Sequence, residues 1–158
     1  YEHRAPMMRF LTNLQIPLPK AFYAAAEFVL NGYLRRVLEQ DEIDTERVKN
    51  LLETAKLEGV AIDAATLEFA YRHTLERMVE QLDANPTMDP LQRLDSAASL
   101  IPVLPFHVDL WKIQNVYYRL RENIYPDMRR LKQRGDRTAD AWMDCFEALG
   151  QKLNVKVD

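Results

Sequence analysis

The stretch DAATLEFAYRHTLERMVEQLDA, residues 63 to 84, decides the fold class. Leu67, Tyr71, Leu75, Met78 and Leu82 recur along it at spacings of three and four. That is the α-helical period, and the two-residue alternation of a strand is missing. Asp63 stands just ahead of the first apolar position, where a short carboxylate satisfies free backbone N–H groups and starts a helix.

Working outward, the same signals recur on both sides. Upstream, Gly59 supplies a helix stop, since glycine takes the left-handed conformation cheaply. Val48, Leu51, Leu52 and Ala55 mark the apolar face of the helix it ends, and Asp41 to Thr45 is a capping cluster at its start. A longer helix is predicted from Pro19 to about Glu39. Phe22, Ala25, Ala26, Val29, Leu30, Tyr33 and Val37 make it apolar around most of its circumference, which predicts a central place in the bundle. Residues 5 to 16 read as a short helix with Met8, Leu11 and Leu14 near one face, broken by Pro17 and Pro19.

Downstream, Asn85 to Met88 reads as a loop. Asp89, Pro90 and Gln92 read as cap, first-turn proline and capping-box partner of a helix that stops before Pro102. Pro102 to Pro105 predicts an extended turn. A long helix is expected from about His107, interrupted or kinked at Pro126. Gly135-Asp136 separates it from a last helix carrying Trp142, Cys145, Phe146 and Leu149. The tail Leu153 to Val157 alternates, as a short strand or plain coil. The expected fold is all-α, a single antiparallel bundle of six to seven helices spanning residues 1–158.

Composition agrees. The chain has 158 residues, 47% apolar, with four glycines and eight prolines, too few turn signals for a sandwich or barrel. Twenty-one Lys and Arg oppose twenty-four Asp and Glu, and the net charge of -3 argues against a nucleic-acid partner. Pairs such as Arg35-Arg36 and Arg129-Arg130 have acidic neighbours, the pattern of a solvated helix surface. No apolar run approaches the ~20 residues that span a bilayer, and no signal peptide is visible. Cys145 is the single cysteine, which excludes an internal disulfide and fits a reducing, cytoplasmic setting. The chain opens on Tyr1 rather than Met, so we expect the C-terminal part of a longer protein.

Chemistry is sparse. On the helix after Pro105, Leu110, Ile113, Tyr117, Leu120 and Ile124 share the face that should enter the core. His107, Trp111, Gln114, Asn115 and Tyr118 fall roughly opposite. The first expectation is plain packing, with the helix buried on both sides in a three-layer bundle, because Trp and Tyr are mostly packing residues. The alternative is a contact surface for protein or ligand. Aromatic platforms beside amides suit sugar rings, which offer an apolar C–H face and many hydroxyls. Asp109 reads first as a helix cap and second as a catalytic carboxylate.

Tyr23, Glu27 and Asn31 form a narrow polar stripe on the otherwise apolar second helix. It reads as a solvent line or a paired carboxylate before it reads as a cleft acid. His3, His73 and His107 lie far apart and in no ligand motif, so no metal is expected. Cys145 beside Trp142 and Phe146 reads as a core thiol. No phosphate loop, nucleophile elbow or dinucleotide fingerprint occurs, and no cofactor is expected.

Three stretches carry a family resemblance. They are Ile16-Pro17-Leu18-Pro19-Lys20-Ala21-Phe22 leading into Ala25-Ala26-Glu27-Phe28-Val29-Leu30-Asn31, then Leu51-Leu52-Glu53 with Glu58-Gly59-Val60, and Val108 to Asn115. In this order they resemble the helical domain of unknown function that follows a glycoside hydrolase family 57-like catalytic domain in bacterial proteins of α-amylase or α-mannosidase-like type. Phe146 to Val157 looks like that family's natural C-terminus.

The resemblance implies a context. The catalytic Glu and Asp would reside in an N-terminal barrel outside this chain, and a retaining glycosidase needs two carboxylates roughly 5 Å apart. No motif here supplies that pair. The isolated chain would then be no enzyme, while the full-length protein would be a glycoside hydrolase or transferase. The partners implied are that catalytic domain and an α-glucan, met by Trp111, Gln114, Asn115 and Tyr118 or by Glu27 and Asn31. Two other readings compete: a helical protein-interaction or assembly domain, and an independent enzyme using Glu27, Asp109 and His107 as acid–base groups.

Overall fold

The computed structural model describes residues 5–15 and 19–155, except for the side chains of Met8 and Thr12. His3, the break at Pro17, the start of the first family-like stretch and the end of the alternating tail lie outside these residues.

Among the described residues the chain forms eight helices. They are α1 (Ala5–Asn13), α2 (Lys20–Leu38), α3 (Thr45–Leu57), α4 (Ala64–Ala84), α5 (Met88–Ala98), α6 (Trp111–Asn123), α7 (Tyr125–Gln133) and α8 (Arg137–Lys152). The count exceeds the expected six to seven because the long helix divides at Ile124. Pro126 occupies the first turn of α7, where its missing N–H costs nothing.

Local chemistry sets most boundaries. Asp44, Asp63 and Asp136 each accept a hydrogen bond from the N–H three residues on, at 3.1, 3.3 and 3.0 Å. Gly59 and Gly135 take φ of 65° and 87° just after α3 and α7, a conformation open to glycine. At α5 the local reading fails. The helix starts one residue before Asp89, with Thr87 at its cap position, and the Asp89 carboxylate takes Arg93 instead. Met88 packs against the core, which draws the first turn upstream.

Five helices close a ring: α4 packs on α5, α5 on α8, α8 on α7, α7 on α6, and α6 on α4. Their inner faces meet around Tyr117, Phe146 and Trp142, with Tyr117 and Trp142 stacked on Phe146 at centroid distances of 4.2 and 4.8 Å. Two phenols cross-link the ring. Tyr71 donates to the Ala97 carbonyl at 2.5 Å, and Tyr117 to that of Phe146 at 2.7 Å. Burial pushes both hydroxyls above their ordinary pKa, so they remain donors. Cys145, expected in the core, is half-buried at its edge, and burial raises its thiol to about 11.

The second helix is not central. α2 packs on α4 and α3 at the margin of the ring. Leu34, Val37 and Leu38 join the main core, while Ala26 and Leu30 form a small separate cluster with Ala55 and Val60. Its outer side stays exposed at Ala24, Ala25 and Phe28. Alanines make a helix look apolar without making it buried. Leu11 of α1 packs on the small cluster but Leu14, just beyond the helix, is exposed, so they do not share a buried face. The tail holds no strand within the described residues. Val155 instead donates to the Gly150 carbonyl at 2.8 Å in a turn.

Candidate functional site

α6 starts at Trp111, four residues later than expected, because its first turn is anchored by side chains. Leu110 holds the cap position with no side-chain hydrogen bond, and the Asp109 carboxylate, one residue ahead of it, accepts from the Trp111 N–H at 3.1 Å. The Asp109 N–H donates to Glu68 at 3.3 Å, and Glu68 also takes Arg72 at 2.9 Å. His107 therefore lies off the helix, in an open hollow of about 410 Å³ with Phe106, Asp109, Glu68 and Arg72.

Three sides of α6 are engaged. Ile113, Val116, Tyr117 and Leu120 enter the core. Toward α4, Lys112 meets Glu80 at 2.6 Å and Glu76 at 3.8 Å, and Arg119 meets Asp83 at 2.5 Å. The hydrogen bond between Lys112 and Glu80 raises the ammonium pKa and lowers the carboxyl pKa. On the remaining flank, Gln114 donates to the Leu153 carbonyl at 2.8 Å, so it holds the tail rather than facing solvent.

The fourth side is open. Trp111 is 72% exposed, and Asn115 and Tyr118 follow it one and two turns on. Burial on both sides is thereby overturned: no second layer covers this face within the described residues. Arg121 lies over the Tyr118 ring at 5.1 Å. What remains is an indole, an amide and a phenol in a row on a helix fixed on every other side.

The second candidate stripe lies elsewhere. Glu27 and Asn31 line a cleft of about 620 Å³ between α2 and the start of α4, with Phe28, Gly32, Arg35 and Thr66. Both N–H groups and the carbonyl oxygen of the Asn31 amide are engaged. It donates to the carbonyls of Glu27 and Ala61 at 2.8 and 2.9 Å, and accepts from the Asp63 N–H at 2.8 Å. It staples α2 to the turn before α4. The Glu27 side chain is exposed and Tyr23 is half-buried. This cleft contains neither His107 nor Asp109, so the three proposed acid–base groups do not share a site.

Several residues escaped the sequence reading. Phe28 and Phe69 are among the most exposed large apolar side chains. Phe69 stacks with His73 at 6.0 Å. A second stripe on α4, Thr66, Phe69, His73, Glu76 and Glu80, has the same three-and-four spacing as the buried one and was the available signal. Glu58 is a buried carboxylate at the end of α3, bonded to Arg9 of α1 at 3.1 Å, and burial raises its pKa. Sequence gives no hint of that, since α1 and α3 meet only in the fold. Among the described residues no three His, Cys, Asp or Glu side chains converge as a metal site. No helix among them is long and apolar enough to cross a membrane.

Comparison of the chain with protein-family models, with characterised proteins and with solved structures finds no match.

Proposed function

We propose that this chain is a non-catalytic helical accessory domain of a glycoside hydrolase family 57-like enzyme or glucanotransferase. It packs on the catalytic barrel of the same chain and presents the Trp111 face to the α-glucan. The resemblance supplies the context and its bacterial setting, and the single cysteine fits a cytoplasmic one. The observation that carries the site is the exposed row of Trp111, Asn115 and Tyr118 on a helix held on its other three sides. An indole face accepts the C–H side of a sugar ring, while the amide and phenol exchange hydrogen bonds with its hydroxyls. A platform already rigid before binding loses little entropy when the ligand arrives.

The test is Trp111→Ala in the full-length protein, with kcat/KM measured on an α-glucan. A loss of about tenfold, or ~1.4 kcal/mol, with an unchanged unfolding midpoint is expected. Unchanged kinetics in a folded variant would remove the glucan role. An assembly domain is the second reading, and the exposure of Phe28 on α2 favours it.

A further inference from the structure

We propose that the outer face of α2 is a self-association surface, on which a second copy of this chain seats its own α2 antiparallel to the first. The face is on a different helix from the Trp111 row and does not depend on the glucan reading.

The outward side of an edge helix is normally polar. Here it presents Ala21, Ala24, Ala25 and Phe28, all exposed, with Phe28 at 82%. One turn beyond Phe28 lies Gly32, in the middle of the helix, where glycine weakens a helix relative to alanine. Its φ is not positive, and a Cβ built there would meet nothing within 4 Å. Neither backbone conformation nor packing within this chain requires a glycine at that position. A bare backbone beside an open cleft of about 620 Å³ leaves room for an incoming ring.

Charge selects the occupant. Glu27 and Arg35 both line this cleft, and neither makes an ion pair among the described residues. They are eight residues apart, about 12 Å along the helix, too far to pair with each other. A two-fold axis crossing the outer face of α2 at the height of residues 30 and 31 solves this. Glu27 then faces the partner's Arg35, Arg35 faces the partner's Glu27, and Phe28 comes over the partner's Gly32. Every contact occurs twice, as a two-fold interface requires. A foreign partner would need its own complementary pattern; a second copy already has it.

The experiment is light scattering of this chain across a concentration series, with variants. The wild type is expected to pass from one copy to two as concentration rises. Gly32→Leu and Phe28→Ser should each hold it at one copy, with helicity and melting temperature checked by circular dichroism. Glu27→Arg and Arg35→Glu should each weaken association by about tenfold or more, and the double reversal should recover it. Trp111→Ala should leave it unchanged. A wild type of one copy at every concentration overturns the proposal. So does a dimer that ignores Gly32→Leu and both charge reversals, or one that is lost only with Trp111→Ala.

Discussion

α4 and α2 are the two longest helices, of 21 and 19 residues, and they lie against each other. α4 carries charged residues along its length yet buries eight side chains, while the alanine-rich α2 buries five. The difference is one of placement. α4 spaces its large residues so that they fill one continuous face, which three neighbours then cover. α2 spreads small residues around its surface, and a small residue gains little from burial. What draws a helix into the centre is a concentrated stripe of large side chains, more than mean apolarity. The ring around Phe146 and the margin formed by α1, α2 and α3 are therefore held with different strength.

The largest expected effect tests that contrast directly. Phe146→Ala removes the ring on which Tyr117 and Trp142 stack, and should cost about 3–5 kcal/mol in denaturant unfolding. Leu30→Ala in the small marginal cluster should cost about 2 kcal/mol, the low end for a buried leucine. Equal costs would erase the distinction between ring and margin.

Next comes the staple between the two helices. Asn31→Ala removes three hydrogen bonds, two of which join α2 to the turn before α4. Destabilisation of about 1–2 kcal/mol is expected, and a neutral result would mean that water replaces the amide fully.

A third prediction concerns pH. Burial raises the Glu58 carboxyl above its ordinary value. The folded chain then binds this proton more tightly than the unfolded chain. Stability at this group is greatest below the ordinary carboxylate range and declines as pH rises through the raised value. Urea unfolding from about pH 4 to about pH 7 should show that decline at the margin, and Glu58→Gln should flatten it. An unchanged slope in the variant would assign the pH dependence to other groups.

The smallest effects belong to the exposed rings. Phe28→Ala and Trp111→Ala should each change the unfolding free energy of the dilute chain by less than about 0.5 kcal/mol, since both rings face solvent. A larger loss from either would mean that the ring is packed within its own chain.

The helices themselves were legible because their signals are local. The stripe from Leu67 to Leu82, the capping cluster at Asp41 to Thr45, the Asp63 cap, the Gly59 stop and the Gly135-Asp136 break act within a turn or two. So was the core face of α6, which periodicity alone places. The start of α5 was misread because Met88 answers to packing rather than to the local cap. The candidate site was legible in part: Trp111, Asn115 and Tyr118 share a face by spacing, but Gln114 is drawn off it by the Leu153 carbonyl, thirty-nine residues away. Asn31 read as cleft polarity and is a staple, because its three partners are backbone groups that no side-chain pattern displays.

The sequence by itself determined an all-helical chain and most of its boundaries, since hydrogen bonding within a helix, capping and glycine conformation are settled by near neighbours. Only the tertiary structure decided which apolar surfaces are covered. α2 lies at the margin, Trp111 is bare and Glu58 is buried because burial depends on what packs against a residue, and those partners come from distant parts of the chain.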